Sequence, residues 1–219
     1  SMNLAFDLET NAIDNFQSLE GLKEIHCLVL QCLDSGEQWR YSNNAGNLKE
    51  GLNRLRLADL IVGHNIISFD LRVIKKMYPK WTPTGAIRDT LVMARAIHPD
   101  QRELDFGLMK KGYPKTLIGS HSLKAWGYRI GALKGDFNEE TDWENWSIEM
   151  EDYCAQDTAV TAQLYSKLME QDPEVDMLNL EQEFQAVLVN QEAYGFPFDT
   201  HKAERLYSTL SAERDDHEK

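Results

Sequence analysis

Leu4-Ala5-Phe6-Asp7-Leu8-Glu9-Thr10, close to the start of the chain, decides how the rest is read. A short apolar run ends in two acids separated by one residue. Successive side chains of a β-strand point to opposite faces, so Asp7 and Glu9 face one way and Phe6 and Leu8 the other. Two carboxylates held that close repel each other unless something positive lies between them. A hard divalent cation such as Mg²⁺ is the usual partner of carboxylate oxygens. D-x-E alone is weak grounds, because a strand running into a polar turn looks the same. The remaining chain has to supply further ligands.

The 219 residues, 42% hydrophobic and 27% charged, suit one domain, or one domain with an appendage, and a sizeable core. No apolar run approaches a membrane span, and no secretion signal is visible. Ser1 ahead of Met2 reads as a remnant of tag removal. Cys27, Cys32 and Cys154 show no C-x-x-C pairing, which suits a reducing cytosol and argues against structural zinc. A net charge of −13 speaks against nucleic acid, but the charge is unevenly placed. Residues 1–71 carry 5 Lys/Arg and 10 Asp/Glu, residues 72–134 carry 13 and 4, and residues 135–219 carry 5 and 22. The basic middle third is a candidate phosphate-contacting face, with solvated surface as the plainer reading.

Along the chain, Glu24 to Leu33 reads as a buried strand, with Gln38 to Tyr41 as its hairpin partner across Asp34-Ser35-Gly36. Leu48, Leu52 and Leu55 mark an amphipathic helix over 47–57, and Leu60 to Gly63 is a short buried strand. His64 to Asp70 opens a helix that runs through Val73, Ile74 and Met77 until Pro79. Asp89 caps a helix from Leu91 to Ile97, and Ser120 or Ser122 caps one through Trp126. An acidic stretch, 135–152, carries Trp143 and Trp146 and leads into a long helix from about Ser147 to Met169. After Asp172-Pro173 the pattern is helical only: Leu178 to Glu192, a break at 194–197, and a last helix from Thr200. Strands first, with helices interleaved and following, indicate an α/β fold: a mixed sheet covered by helices, with a helical C-terminal extension.

Within the long helix, Tyr153 and Asp157 lie four apart and share a face. Asp70 opens the helix after a core strand. Asp7, Glu9, Asp70 and Asp157 can together neutralise two divalent cations, the arrangement used for in-line phosphodiester displacement. Tyr153 suits orienting the attacking water better than deprotonating it. Taken singly, Asp70 is a helix-start acid, Tyr153 a core residue and Asp157 surface charge; their order and spacing change that.

In that order the residues resemble the proofreading 3′–5′ exonuclease domains of the DnaQ-like, ribonuclease-H-like superfamily. Those domains carry D-x-E, a second acid preceded by H-N, and Y-x-x-x-D. Here these stand as Asp7-x-Glu9-Thr10, His64-Asn65-x-x-x-Phe69-Asp70 and Tyr153-x-x-x-Asp157. The sibling subclass has a histidine where this chain has Asp152, so the chain is similar to the tyrosine (DEDDy) type. Asp89-Thr-Leu-Val-Met-Ala-Arg95, the long run Gly119 to Gly135 and Gly195-Phe-Pro-Phe-Asp199 resemble the family A replicative DNA polymerases of T-seven-like short-tailed phages.

The resemblance implies a ribonuclease-H-like fold, with residues 1–172 as the exonuclease domain and 173–219 as a helical linker to an absent polymerase domain. It implies Asp7, Glu9, Asp70 and Asp157 as ligands of two Mg²⁺ (or Mn²⁺) ions, with Tyr153 as catalytic partner. Thr10, Asn65, Phe69 and His121 are the implied nucleic-acid contacts. Phe69 stands where relatives often have tyrosine. Leu8 is a candidate wedge against the last base, with core packing the plainer reading; Trp143 and Trp146 are read as packing rather than base-stacking. The implied substrate is the 3′ end of single-stranded DNA, handled by a monomer with no membrane attachment in the cytoplasm of an infected bacterial host. The other readings are an RNA-trimming exonuclease of the same superfamily and an inactive DNA-positioning module.

Overall fold

A computed structural model describes residues 2–11, 19–132 and 142–193. Part of the acidic stretch, the Gly195–Asp199 motif and the last expected helix lie outside them.

The five-stranded sheet is built around the opening motif. Strand β1 (Asn3–Thr10) pairs antiparallel with β2 (Ile25–Cys32) and parallel with β4 (Leu60–Gly63). Strand β3 (Gln38–Ser42) extends the β2 edge, and β5 (Ala86–Asp89) extends the β4 edge in parallel, giving the order β3-β2-β1-β4-β5. β1 is therefore central, with hydrogen-bonded neighbours on both sides. Alternation along it feeds two layers. Leu4, Phe6 and Leu8 enter a large core with Leu28, Leu30, Leu52, Leu55, Val73 and Ile74, covered by α1 (Leu48–Arg56) and α2 (Asp70–Met77).

On the opposite face lies α6 (Ile148–Met169), capped by Ser147, whose hydroxyl accepts the Met150 N–H. Its buried positions include Cys154, Ala155, Thr158, Thr161 and Ala162. These short side chains meet Ala5, Cys27, Val29 and Val62 and let the helix lie close to the sheet. Helices α3 (Thr90–Ile97), α5 (Leu123–Ile130) and α7 (Val175–Ala193) meet α6 in a satellite core of Met93, Trp126, Leu164, Leu168 and Leu178.

A short strand and a helix, β5 and α4 (Gln101–Leu108), were not expected. β5 is only four residues with one internal apolar side chain, Ile87, and a charged Arg88, too little for a period-2 signal. α4 exposes Leu104 and Phe106 and buries the polar Gln101 and Asp105, the reverse of an amphipathic pattern. The segment 64–69 is a turn, with the helix itself beginning at Asp70. Ser122 is the α5 cap, accepting from Ala125 N, and Ser120 supports it by accepting the Ser122 N–H. The expected division at residue 172 falls in the turn between α6 and α7, where Asp172 has φ 48°. α7 packs on α3, and Gln182 accepts the Asp89 N–H at 2.9 Å.

Candidate active site

Asp7 lies opposite Val29 and Glu9 opposite Cys27 in the antiparallel register, and the pairing shifts between Glu9 and Thr10. Irregularities of this kind re-aim side chains at the end of a strand. Both acids keep partial solvent access and face the side that α6 crosses, while Leu8 is buried behind them.

α6 is fixed to β1 by the Cys154 thiol, which donates to the Asp7 carbonyl at 3.3 Å. Its neighbours Tyr153 and Asp157 sit one turn apart on the pocket side, and the Tyr153 hydroxyl donates to the Asp157 carboxylate. The Trp143 ring meets Tyr153 edge-on, 5.8 Å between centroids and 80° between planes. The Trp143 carbonyl is in turn 2.9 Å from His26 Nε2.

Asp70 arrives by a different device. After β4 the chain makes a turn in which Asn65 takes a left-handed φ of 61°. The buried Asp89 carboxylate clamps that turn, accepting from Asn65 N at 2.8 Å and Ile67 N at 3.0 Å, and also from Leu91 N at 3.0 Å as the α3 cap. His64 Nδ1 lies 2.8 Å from Thr90 Oγ1 on the same helix. One buried carboxylate thus joins β5, α3 and the turn that delivers Asp70.

Asp7, Leu8, Glu9, Thr10, Phe69, Asp70, Trp143, Tyr153 and Asp157 line one pocket of about 240 Å³. Of the residues singled out in the sequence, Asn65 and His121 are not on its walls. Asn65 shapes the turn behind Asp70, and His121 stacks on Trp126 with centroids 5.9 Å apart. Trp143 both packs against the Cys27/Cys154 cluster and walls the pocket, so packing was half of its role. Trp146 donates to Glu151 Oε2 at 3.1 Å and does not reach the pocket. The clamp by Asp89 was not foreseen; its capping position was legible, but its reach back to residues 65 and 67 depends on β5. A larger groove of about 510 Å³ lies between α2, β5 and α7, shares no lining residue with the acid pocket and is mostly apolar.

The electrostatics of the pocket are uniformly unfavourable to bare carboxylates. Burial, with Glu9, Asp70 and Asp157 around it, raises Asp7 well above the usual range, and burial raises Glu9 likewise. Asp70 is pushed up to about 8, chiefly by burial, and Asp157 to about 7, also by burial. The Tyr153 phenol is pushed well up by burial and by Asp157, so it stays protonated. Asp70 Oδ1 is buried with no hydrogen-bond partner. Four crowded acids and an orphaned carboxylate oxygen form a donor set that could hold a hard divalent cation. Cys154 Sγ lies within 4.8 Å of Asp7 and Glu9 ligand oxygens, but burial raises its thiol and it is already donating to Asp7, so the oxygens are the better ligands.

The mixed five-stranded sheet, with helices on both faces and acids on its central strand, defines a ribonuclease-H-like α/β fold. Two solved structures share this fold: one described as the apo form of a nuclease, with TM-score 0.59 and 17% identity over 89% of this chain and 86% of that one. The other is NrnC of Brucella melitensis bound to pGG, with TM-score 0.56 and 14% identity over 88% and 85% of the two chains. No protein-family model matches the chain. In sequence, the chain is similar to two phage DNA polymerases. It is 31% identical to the DNA-directed DNA polymerase of Escherichia phage T7 over a 251-residue alignment covering 95% of this chain. It is 31% identical to that of Enterobacteria phage T3 over 254 residues and 96% of this chain. The chain spans 35% of the length of either relative.

Proposed function

We propose that this chain is the 3′–5′ exonuclease unit of a phage DNA polymerase, trimming DNA 3′ ends with two divalent ions, Mg²⁺ or Mn²⁺. The observation that carries the reading is the convergence of Asp7, Glu9, Asp70, Asp157 and Tyr153 on one pocket. Asp7, Glu9, Asp70 with its orphaned oxygen, and Asp157 are the residues that would hold the ions. When bound, the ions supply a lowered pKa for the attacking water and charge neutralisation at the leaving 3′ oxygen.

The protein's own share is positioning. Tyr153, protonated and 4 residues from Asp157 on one helix, offers a hydroxyl to orient the water rather than to take its proton. Phe69 and Trp143, beside Thr10, are the walls against which a terminal nucleoside rests. On this reading residues 173–219, which include α7, are the linker to a polymerase domain, and the unit works as a monomer in the cytoplasm of an infected bacterium.

The test is a 5′-labelled single-stranded DNA incubated with the protein and Mg²⁺, or with chelator. Shortening from the 3′ end with Mg²⁺ and none with chelator is expected. Metal-independent digestion, or loss from the 5′ end, overturns the reading. An RNA oligonucleotide of the same sequence run in parallel separates the RNA-trimming alternative, which the polymerase homology disfavours. No digestion by a metal-loaded, folded protein would favour the inactive DNA-positioning module.

A further inference from the structure

Another pocket, of about 300 Å³, shares no lining residue with the acid pocket. One wall is α1, whose Lys49, Asn53 and Arg56 follow one another at helical spacing and so line a single face. The other wall is the turn that ends α2, carrying Tyr78, Lys80 and Trp81. α1 and α2 cover the sheet face opposite to α6, so the sheet itself separates this pocket from Asp7 and Glu9.

The two walls are fastened to each other. The Trp81 indole N–H donates to the Leu52 carbonyl at 2.8 Å. Thr84 donates to the Arg56 carbonyl through both its N–H and its hydroxyl, each at 3.0 Å. The turn is closed by Trp81 N on the Tyr78 carbonyl at 2.8 Å, and Trp81 is 9% exposed and part of the main core. Arg56 Nη2 donates to Asn53 Oδ1 at 3.2 Å, which steadies the guanidinium beside the pocket. The space is therefore held open by rigid elements.

Three cations, Lys49, Arg56 and Lys80, line this pocket, and no acid does among the described residues. None of the three takes part in a salt bridge among the described residues. A basic helix face alone is solvated surface. Here the cations instead surround a concave space walled by two aromatic side chains. Converging cations suit a phosphate, and aromatic rings suit the flat face of a base; a nucleotide carries both on one molecule. The volume lies at the lower end of the range of about 300–1,000 Å³ typical of small-molecule pockets, which suits one nucleotide rather than a run of them.

We propose that this pocket binds a single nucleotide, its phosphate held by Lys49, Arg56 and Lys80 and its base laid against Tyr78 and Trp81. The nucleotide is a free nucleoside monophosphate or one unit of a DNA strand. The strand form rests on the nuclease reading above; the free form does not.

The test uses the whole chain in chelator, so that no digestion intervenes. Nitrogen–proton NMR follows the backbone amides of Asn53 and Lys80, one on each wall. The probes are deoxyadenosine monophosphate, deoxyadenosine, inorganic phosphate and a single-stranded oligonucleotide. Both amides should shift saturably with the monophosphate, and more weakly with the nucleoside or with phosphate, each of which lacks half of the ligand. The same shifts with oligonucleotide, in competition with the monophosphate, assign the site to a strand; shifts with the monophosphate alone assign it to the free nucleotide. Lys49 and Lys80 are exposed, so Lys49→Gln and Lys80→Gln should leave Tm unchanged. Each is expected to weaken binding of the monophosphate about tenfold. Amides unmoved by every probe, equal affinity for inorganic phosphate and the monophosphate, or undiminished affinity in both variants overturns the proposal. A monophosphate-induced shift in a chain that shows no Mg²⁺-dependent digestion would instead remove the nuclease reading and leave the nucleotide site standing.

Discussion

The Cys154 thiol donates to the main-chain carbonyl of Asp7, so the helix carrying Tyr153 and Asp157 is tied to the strand at the very residue whose side chain enters the pocket. Both Cys154 and its neighbour Cys27 are fully buried between β1, β2 and α6. The helix-to-sheet distance is set by these small side chains, and the spacing of the four acids depends on it. Cys154→Ser keeps a donor and a similar volume and should preserve both fold and nuclease rate. Cys154→Leu overfills the gap, with a cost of about 1–3 kcal/mol, and should lower the rate by pushing α6 away from β1. Thermal melting and digestion rates of the two variants check this; equal rates would show that the contact does not set the site.

Asp7 stands among three other carboxylates, each of which raises its pKa. Asp7→Ala should nearly abolish Mg²⁺-dependent digestion, since a carboxylate that would hold the metal is gone. Without metal the same variant should be no less stable than the parent, because like-charge repulsion falls. An Asp7→Ala protein that still shortens single-stranded DNA at near the parent rate would sink the assignment.

The acids also predict how stability follows pH. Asp70 at about 8 and Asp157 at about 7 hold protons in the folded chain that an unfolded carboxyl, with a pKa of about 4, has already lost. From pH 6.5 to 8 the folded state therefore binds more protons than the unfolded one, and stability falls as pH rises. His64 and His121, both lowered to about 4 mainly by burial, act in the opposite sense. Their folded forms stay neutral while the unfolded chain protonates, so their destabilisation appears only as pH drops below about 6.5. In chelator, Tm should decline between pH 6.5 and 8, and Mg²⁺ or Mn²⁺ should restore it most at pH 8. A Tm that rises across that window in chelator contradicts the carboxylate assignment.

Much of this was legible in the sequence because the site uses elements with strong local signals. The apolar run at 4–6 and the alternation through Glu9 mark a central strand, and Ser147 with the long apolar spacing marks α6. Tyr153 and Asp157 share a face by helical geometry alone. The parts that were hidden depend on partners distant in sequence. β5 takes its strand form from pairing with β4, not from its own composition. Asp89 looks like an ordinary cap until the turn at 65–67 is folded against it. Trp143 becomes a pocket wall only when His26 holds its carbonyl.

Tyr153 donates to Asp157, and that bond is the influence that holds the Asp157 carboxyl down against burial. Tyr153→Phe should therefore lower the rate by less than Asp157→Ala does, within the 10²–10⁴-fold span of roughly typical acid–base and orienting contributions. Metal affinity, read by calorimetric titration, should change little at pH 8. A large loss of metal binding in Tyr153→Phe would show that the phenol is a ligand rather than an orienting group.

Substrate form joins the charge map to the chemistry. The acid pocket is small, about 240 Å³, and has room for one terminal nucleoside rather than a base pair. Outside residues 72–134 the chain is strongly acidic and repels DNA. On the proposed reading, this chain alone should bind weakly and prefer a few unpaired 3′ nucleotides. Duplex ends should be cut only as fast as they fray, so a mismatched 3′ end should be removed faster than a matched one. Salt should weaken binding with a shallow slope, on the order of two to four phosphate contacts. Digestion of matched duplex, mismatched duplex and single strand, each labelled at the 5′ end, measures all of this together. Equal rates on matched duplex and single strand would mean that the protein opens duplex ends itself, which neither the size of the pocket nor the distribution of charge supports.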